Sequence, residues 1–135
     1  MITFKYREEP LGKKSGSILR PVADVFLKSK SGVWIEYHPY IDSGADVSLI
    51  PLSLGKLLGF HLNESRVEQI GGIRGSVPIV SVQVPMKIGS DEFIADAAWA
   101  LVENIPPLLG RTTVFDIYKV TFEQSRQQIL FQPLK

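Results

Sequence analysis

Apolar and polar residues alternate over much of this chain with the two-residue period of a half-buried β-strand, and only one stretch departs from it clearly. Residues 2–8 alternate and predict a strand. Residues 10–17 (Pro-Leu-Gly-Lys-Lys-Ser-Gly-Ser) read as a connector. Residues 18–28, with Val22, Val25 and Phe26, and residues 33–41 read as two strands around a Lys-Ser-Gly turn, a predicted hairpin. The exception is residues 51–60. Pro51 suits a first helical turn, Leu52, Leu54, Leu57 and Leu58 make an apolar face, and Gly59 can end it. Strands follow at 67–70 and 77–88 around the glycine-rich residues 71–75, and again at 93–102. One or two helical turns are expected over 112–118, then short strands at 120–122 and 128–131. Many short strands, frequent turns and one or two short helices predict an all-β class, a mostly-β barrel or folded sheet.

Composition narrows the function more than the fold. The 135 residues are enough for one domain, with residues 1–17 read as an N-terminal strand and connector and 18–135 as the domain proper. Lys plus Arg number 15 against 14 Asp plus Glu, so nothing in the charge favours nucleic acid as a partner. Cysteine is absent, which removes disulfides, thiolate metal sites and cysteine nucleophiles. No apolar run approaches the ~20 residues of a membrane helix, and the first residues lack an apolar signal core. A cytoplasmic location is the default expectation, although a chain trimmed of a membrane anchor would read the same way. His38 and His61 have no ligand-like partner in sequence, and no metal or cofactor is expected. Ser43, Ser48 and Ser53 lack the setting of a nucleophile. Trp34 and Trp99 are expected in the core, and Lys13, Lys14, Lys28 and Lys30 on solvated faces.

Three constellations carry candidate chemistry. Ile41-Asp42-Ser43-Gly44-Ala45-Asp46-Val47 puts a carboxylate between an apolar run and a Ser-Gly turn, with an apolar strand resuming behind it. That arrangement can hold Asp42 at a fixed point near the interior. One acid cannot serve as both proton acceptor and proton donor. Two carboxylates sharing a proton can activate water against an amide, and the chain has a single Asp-Ser-Gly, so a second acid has to come from a second copy. Gly71-Gly72-Ile73-Arg74-Gly75 between two strands is either a hairpin tip or a flap whose backbone holds an extended peptide, with Ile73 inward. It is no phosphate loop, since no Gly-Lys-Ser/Thr follows. Pro106-Pro107-Leu108-Leu109-Gly110-Arg111 buries two leucines, permits a close backbone approach at Gly110, and leaves Arg111 in want of a carboxylate, for which Asp46 is the candidate.

In this order, the three pieces resemble the retroviral-type aspartic proteases, the retropepsins. The family pattern is Asp-Thr/Ser-Gly-Ala-Asp, a glycine-rich flap, and two apolar residues before Gly-Arg and a helix. Arg20-Pro21 also matches an arginine-proline upstream of the family's acid. The resemblance spans residues 18–134. It implies a retropepsin-like acid-protease barrel, one domain per subunit, working as a homodimeric aspartic endopeptidase on peptide or protein substrates without a cofactor. It assigns catalysis to Asp42 with Ser43 and Gly44. It assigns substrate contacts to Asp46, Val47, Gly71, Gly72, Ile73 and Leu108. Arg20 and Arg111 are expected to pair with Asp46, one of them across the dimer interface. Two departures stand out: Ser43 replaces the commoner threonine, and Arg74 stands at a flap-tip position that is often glycine. Residues 1–17 exceed the minimal viral domain. The alternative is a dimeric module of the same fold that grips peptides without cleaving them.

Overall fold

The computed structural model describes residues 1–12, 16–72 and 75–134. Its backbone is mostly strand, with two short helices. The predicted strand over 2–8 is two strands. In β1 (Ile2–Lys5), Ile2 and Phe4 turn toward the core, and β1 pairs antiparallel with β13 (Gln128–Pro133). The chain breaks at Tyr6, whose N–H donates to Gln127 O at 2.8 Å, and enters β2 (Arg7–Pro10). There the apolar alternation stops at Arg7-Glu8-Glu9, and β2 leaves the core to pair with β3 (Ser17–Arg20). The predicted hairpin is therefore realised only in its second half, by β4 (Val25–Lys28) against β5 (Trp34–Tyr37). Pro21, with no N–H to give a ladder, follows directly on β3.

The main sheet has eight strands. Its spine is the long pair β9 (Gly75–Ile88) and β10 (Asp91–Ala100), in register from Asp91↔Ile88 to Ala100↔Ile79. At its far end β9 also pairs with β4. Over its first residues it pairs antiparallel with β8 (Val67–Gly72), a hairpin in register from Val67↔Val80 to Gly72↔Gly75. On the other edge of β10, β7 (Ser48–Ile50) runs parallel to it, and β11 (Leu108–Leu109) lies between β7 and β6 (Tyr40–Ile41). Two separate pieces of chain, 40–50 and 108–111, are thereby laced into one another. A second sheet, β1-β13-β12, is completed by β12 (Tyr118–Glu123).

The helix expected at 51–60 is shorter, α1 (Leu52–Leu57). Pro51 precedes it at ψ 159, and Gly59 ends it at φ 92, a left-handed torsion that glycine takes freely. Gly55 lies so close to Trp99 that a Cβ there would fall 2.0 Å from the indole Nε1. Trp99 is buried and donates to Leu52 O at 3.2 Å, tying α1 to β10. The other helix is α2 (Val114–Ile117), a single turn inside the predicted 112–118.

The core gathers Leu27, Ile50, Met86, Ile88, Trp99, Leu109, Ile129 and Phe131 from both sheets and Leu58 from the end of α1. A smaller cluster of Leu49, Ile79, Ala98 and Ala100 backs the β8–β9 hairpin. Trp34, expected in the core, is only half-buried. It shares an outer face with cations, the Lys87 and Lys28 ammonium groups lying 4.6 and 5.6 Å from its ring centre. His38 does have partners. Its ring nitrogens lie 3.0 Å from Asp24 Oδ1 and 3.0 Å from Glu36 Oε2, on an exposed face where Arg7 also pairs with Asp24. The alternation of β5 brings Glu36 beside it, and Asp24 comes from the segment before β4. Among the described residues no helix is long and apolar enough to cross a membrane.

Candidate active site

β6 delivers the chain to Asp42, and the interlacing with β11 fixes it there. The Asp42 N–H donates to Leu109 O at 3.0 Å, continuing the parallel ladder. The chain then turns at once: Ala45 N donates to Asp42 O at 3.2 Å, and Gly44 N donates to the carboxylate Oδ1 at 2.9 Å. The backbone thus aims its own carboxylate, which is half-exposed, and takes up one of its two oxygens.

Behind the turn the contacts become backbone to backbone. Arg111 N donates to Ala45 O and Thr112 N to Asp46 O, both at 2.9 Å. Gly110 is pressed against this loop, its N–H donating to the buried Ser48 Oγ at 3.1 Å. Ser48 is thus a strut. Arg111 donates through Nη1 to Ser43 O at 2.8 Å and through Nη2 to Asp46 Oδ1 at 2.6 Å. Of the two arginines expected on Asp46, Arg111 reaches it within the chain and Arg20 does not. Arg20 Nε lies 3.4 Å from Glu9 Oε1, its guanidinium over the Tyr40 ring at 5.9 Å, while Tyr40 donates to Glu9 Oε2 at 2.5 Å. That bond to a carboxylate, then burial, raises the Tyr40 pKa. Neither Glu9 nor Tyr40 was marked by the sequence. Glu9 sits in a charged run, and Tyr40 reads as one more strand aromatic.

Tyr37 is a third support that the sequence did not single out. Its buried hydroxyl is placed between β7 and β11, 2.7 Å from Leu49 O and 2.9 Å from Leu108 O. Burial drives its pKa far up, so the hydroxyl stays a donor. An unfolded tyrosine ionises near its ordinary value of 10.0 while this one holds its proton. The stability it contributes is therefore complete below that pH and lost as pH rises above it. Tyr37→Phe should cost about 1–3 kcal/mol by leaving buried carbonyls without their donor, read as a lower urea midpoint. An unchanged midpoint would remove Tyr37 from the scaffold of the loop.

Two recesses meet at Asp42. One, of about 500 Å³, runs beneath the β8–β9 hairpin and is lined by Asp42, Gly44, Ala45, Asp46, Val47, Leu49, Ile70, Gly71, Val77 and Leu108. The second, of about 470 Å³, is lined by Asp42, Leu108, Ile41, Pro21, Pro106, Glu9, Arg20 and Tyr40. Of the residues expected to bind substrate, Asp46, Val47, Gly71 and Leu108 come together around the first. Gly72 closes the described end of β8, and Ile73 and Arg74 lie outside the described residues. Ser43 is exposed, with its carbonyl on Arg111. Among the described residues no cluster of three or more His, Asp or Glu side chains is placed to hold a metal ion. The arrangement offers Asp42, its orientation fixed, at the junction of two recesses, one of which is lined also by Ile70, Gly71 and Val77 of the β8–β9 hairpin.

No protein-family model and no curated protein matches the sequence. Solved structures do match. One is the EIAV protease in complex with the inhibitor HBY-793, at 22% identity and TM-score 0.57, covering 80% of this chain and 91% of that one. Another is a retropepsin-like aspartic protease from Rickettsia conorii, at 15% identity and TM-score 0.62, covering 96% of this chain and 99% of that one. At these identities the likeness is one of architecture: the chain has the retropepsin-like acid-protease fold.

Proposed function

We propose that the protein is an aspartic endopeptidase that works as a homodimer, each chain supplying one Asp42. The observation that carries this is the fixing of Asp42 by Gly44 N and Leu109 O at the junction of an apolar cleft and a hairpin, within this fold. Two Asp42 side chains meet on the two-fold axis. The ionised one takes a proton from water, and the protonated one donates to the scissile carbonyl oxygen. The oxygen of water bonds to the carbonyl carbon, giving a tetrahedral intermediate and no covalent enzyme adduct. Ser43 braces the two loops across the axis. Gly44 and Asp46 bind substrate backbone, and Gly71, Gly72 and Ile73 belong to the flap. Val47 and Leu108, with Leu49, Ile70 and Val77, give the cleft apolar walls that suit apolar side chains of an extended peptide.

The test is cleavage of a diverse peptide library between about pH 4 and pH 7, with rate followed against protein concentration. The reading expects a steeper than first-order rise at low concentration. Peptides bound and never cut would favour the peptide-gripping module instead. A second check falls on the flap. A Cβ at Gly71 meets nothing within 4 Å, so the fold has room for a side chain there. Gly71→Val should leave the melting temperature within about 2 °C while cleavage falls about tenfold or more, since a β-branched residue stiffens a strand that has to open for the peptide. Equal turnover would reduce residues 71–75 to a turn.

A further inference from the structure

Arg20 and Asp46 are each half-satisfied in a single chain, and both border the recesses that meet at Asp42. Arg20 Nε is buried without a hydrogen-bond partner among the described residues, because Glu9 Oε1, at 3.4 Å, is close enough for charge attraction but not for a well-formed bond. Glu9 is in turn anchored through its other oxygen by the Tyr40 hydroxyl. Asp46 gives Oδ1 to Arg111, yet its side chain is 86% exposed, and among the described residues Oδ2 accepts nothing. One chain therefore shows an arginine Nε without a well-formed hydrogen bond and, among the described residues, a carboxylate oxygen without a protein donor.

This inference rests on the dimer proposed above. If the two Asp42 loops meet on a two-fold axis, the recess that Arg20 shares with Asp42 opens toward that axis. A self-complementary contact then satisfies both groups twice, Arg20 of each protomer going to the partner's Asp46. In the free chain, however, Arg20 is already held. We propose that Glu9 is a built-in restraint on dimer formation: its carboxylate competes with the partner's Asp46 for the Arg20 guanidinium. The restraint comes from β2, in residues 1–17, whose charged Arg7-Glu8-Glu9 run carries no local sign of a link to the site. The Arg20 and Glu9 side chains are 40% and 38% exposed, so solvent weakens the pair, and Glu9 tunes the association without blocking it.

Sedimentation equilibrium over a concentration series tests this with wild type, Glu9→Gln, Asp46→Asn and the double variant. Gln keeps an acceptor for the Tyr40 hydroxyl and removes only the charge. Glu9→Gln should lower the dimer Kd about fivefold, the middle of the range for exposed pairs counted once in each protomer. In the Asp46→Asn background the same change should gain nothing, since the carboxylate that competes with Glu9 is gone. The gain should also shrink at high salt. A Glu9→Gln Kd equal to or weaker than wild type overturns the restraint while leaving the dimer in place, as does an equal gain in both backgrounds. Absence of any dimer, in every variant and at every concentration, removes the dimeric reading and the restraint together.

Discussion

Asp42→Asn is expected to lower peptide cleavage by about 10²–10⁴-fold with the fold intact. The substitution is close to isosteric. Asn keeps an oxygen that can accept from Gly44 N at the position of the present 2.9 Å bond, and the Asp42 N–H to Leu109 O bond is backbone and unaffected. What is lost is the proton chemistry. The proposed step needs one carboxylate to accept a proton and another to donate one, and an amide does neither near neutral pH. By the same reasoning the rate should fall in acid strong enough to protonate both groups and in alkali that strips both, giving a bell. Mixing wild type with an equal amount of Asp42→Asn should cut activity per wild-type chain by about half once subunits exchange, because only wild-type pairs retain both acids. Activity above a few per cent in the pure variant, or mixing that leaves activity per wild-type chain untouched, would sink the assignment of one Asp42 per subunit.

The parts of this site visible in sequence are those made by consecutive residues. Ile41-Asp42-Ser43-Gly44 contains its own turn and its own hydrogen-bond donor, so the aimed carboxylate can be read locally. The close approach expected at Gly110 is likewise local in its cause, and Arg111 beside Asp46 follows from placing a charge directly after buried residues. The supports contributed from afar were not visible. Tyr37 and Leu108 are 71 positions apart, and Tyr40 and Glu9 are 31 apart. Their contacts exist only because β11 threads between β6 and β7 and because β2 folds back on β3. No period of apolar residues encodes that threading, since every strand involved is two to four residues long. The backbone of Thr113, at φ 73 just before α2, is similarly silent. A β-branched residue rarely takes that torsion, and here its Oγ1 accepts from Asp96 N at 3.1 Å across the fold.

Gly110→Ala is expected to be the most damaging single methyl group that can be added near the site. A Cβ there would stand 2.4 Å from both the carbonyl carbon and the oxygen of Val47, and 2.9 Å from Ala45 O. All three are backbone atoms of the loop that carries Asp42, so no side-chain rotation can make room. Separating the two segments would stretch Arg111 N to Ala45 O, Thr112 N to Asp46 O and Gly110 N to Ser48 Oγ together. Overpacking against rigid surroundings costs about 3 kcal/mol at the top of its usual range, and the loss of these bonds adds to it. For a domain of this size the melting temperature should drop by about 10 °C or more. The control is Gly71→Ala, where a Cβ meets nothing within 4 Å. Both variants add the same methyl group and the same loss of unfolded-chain freedom, so their difference isolates the clash. A Gly110→Ala protein that melts with the Gly71→Ala protein would mean that the 108–111 segment can move off the Asp42 loop. The rigid aim of the carboxylate, on which the catalytic reading depends, would then have lost its physical basis.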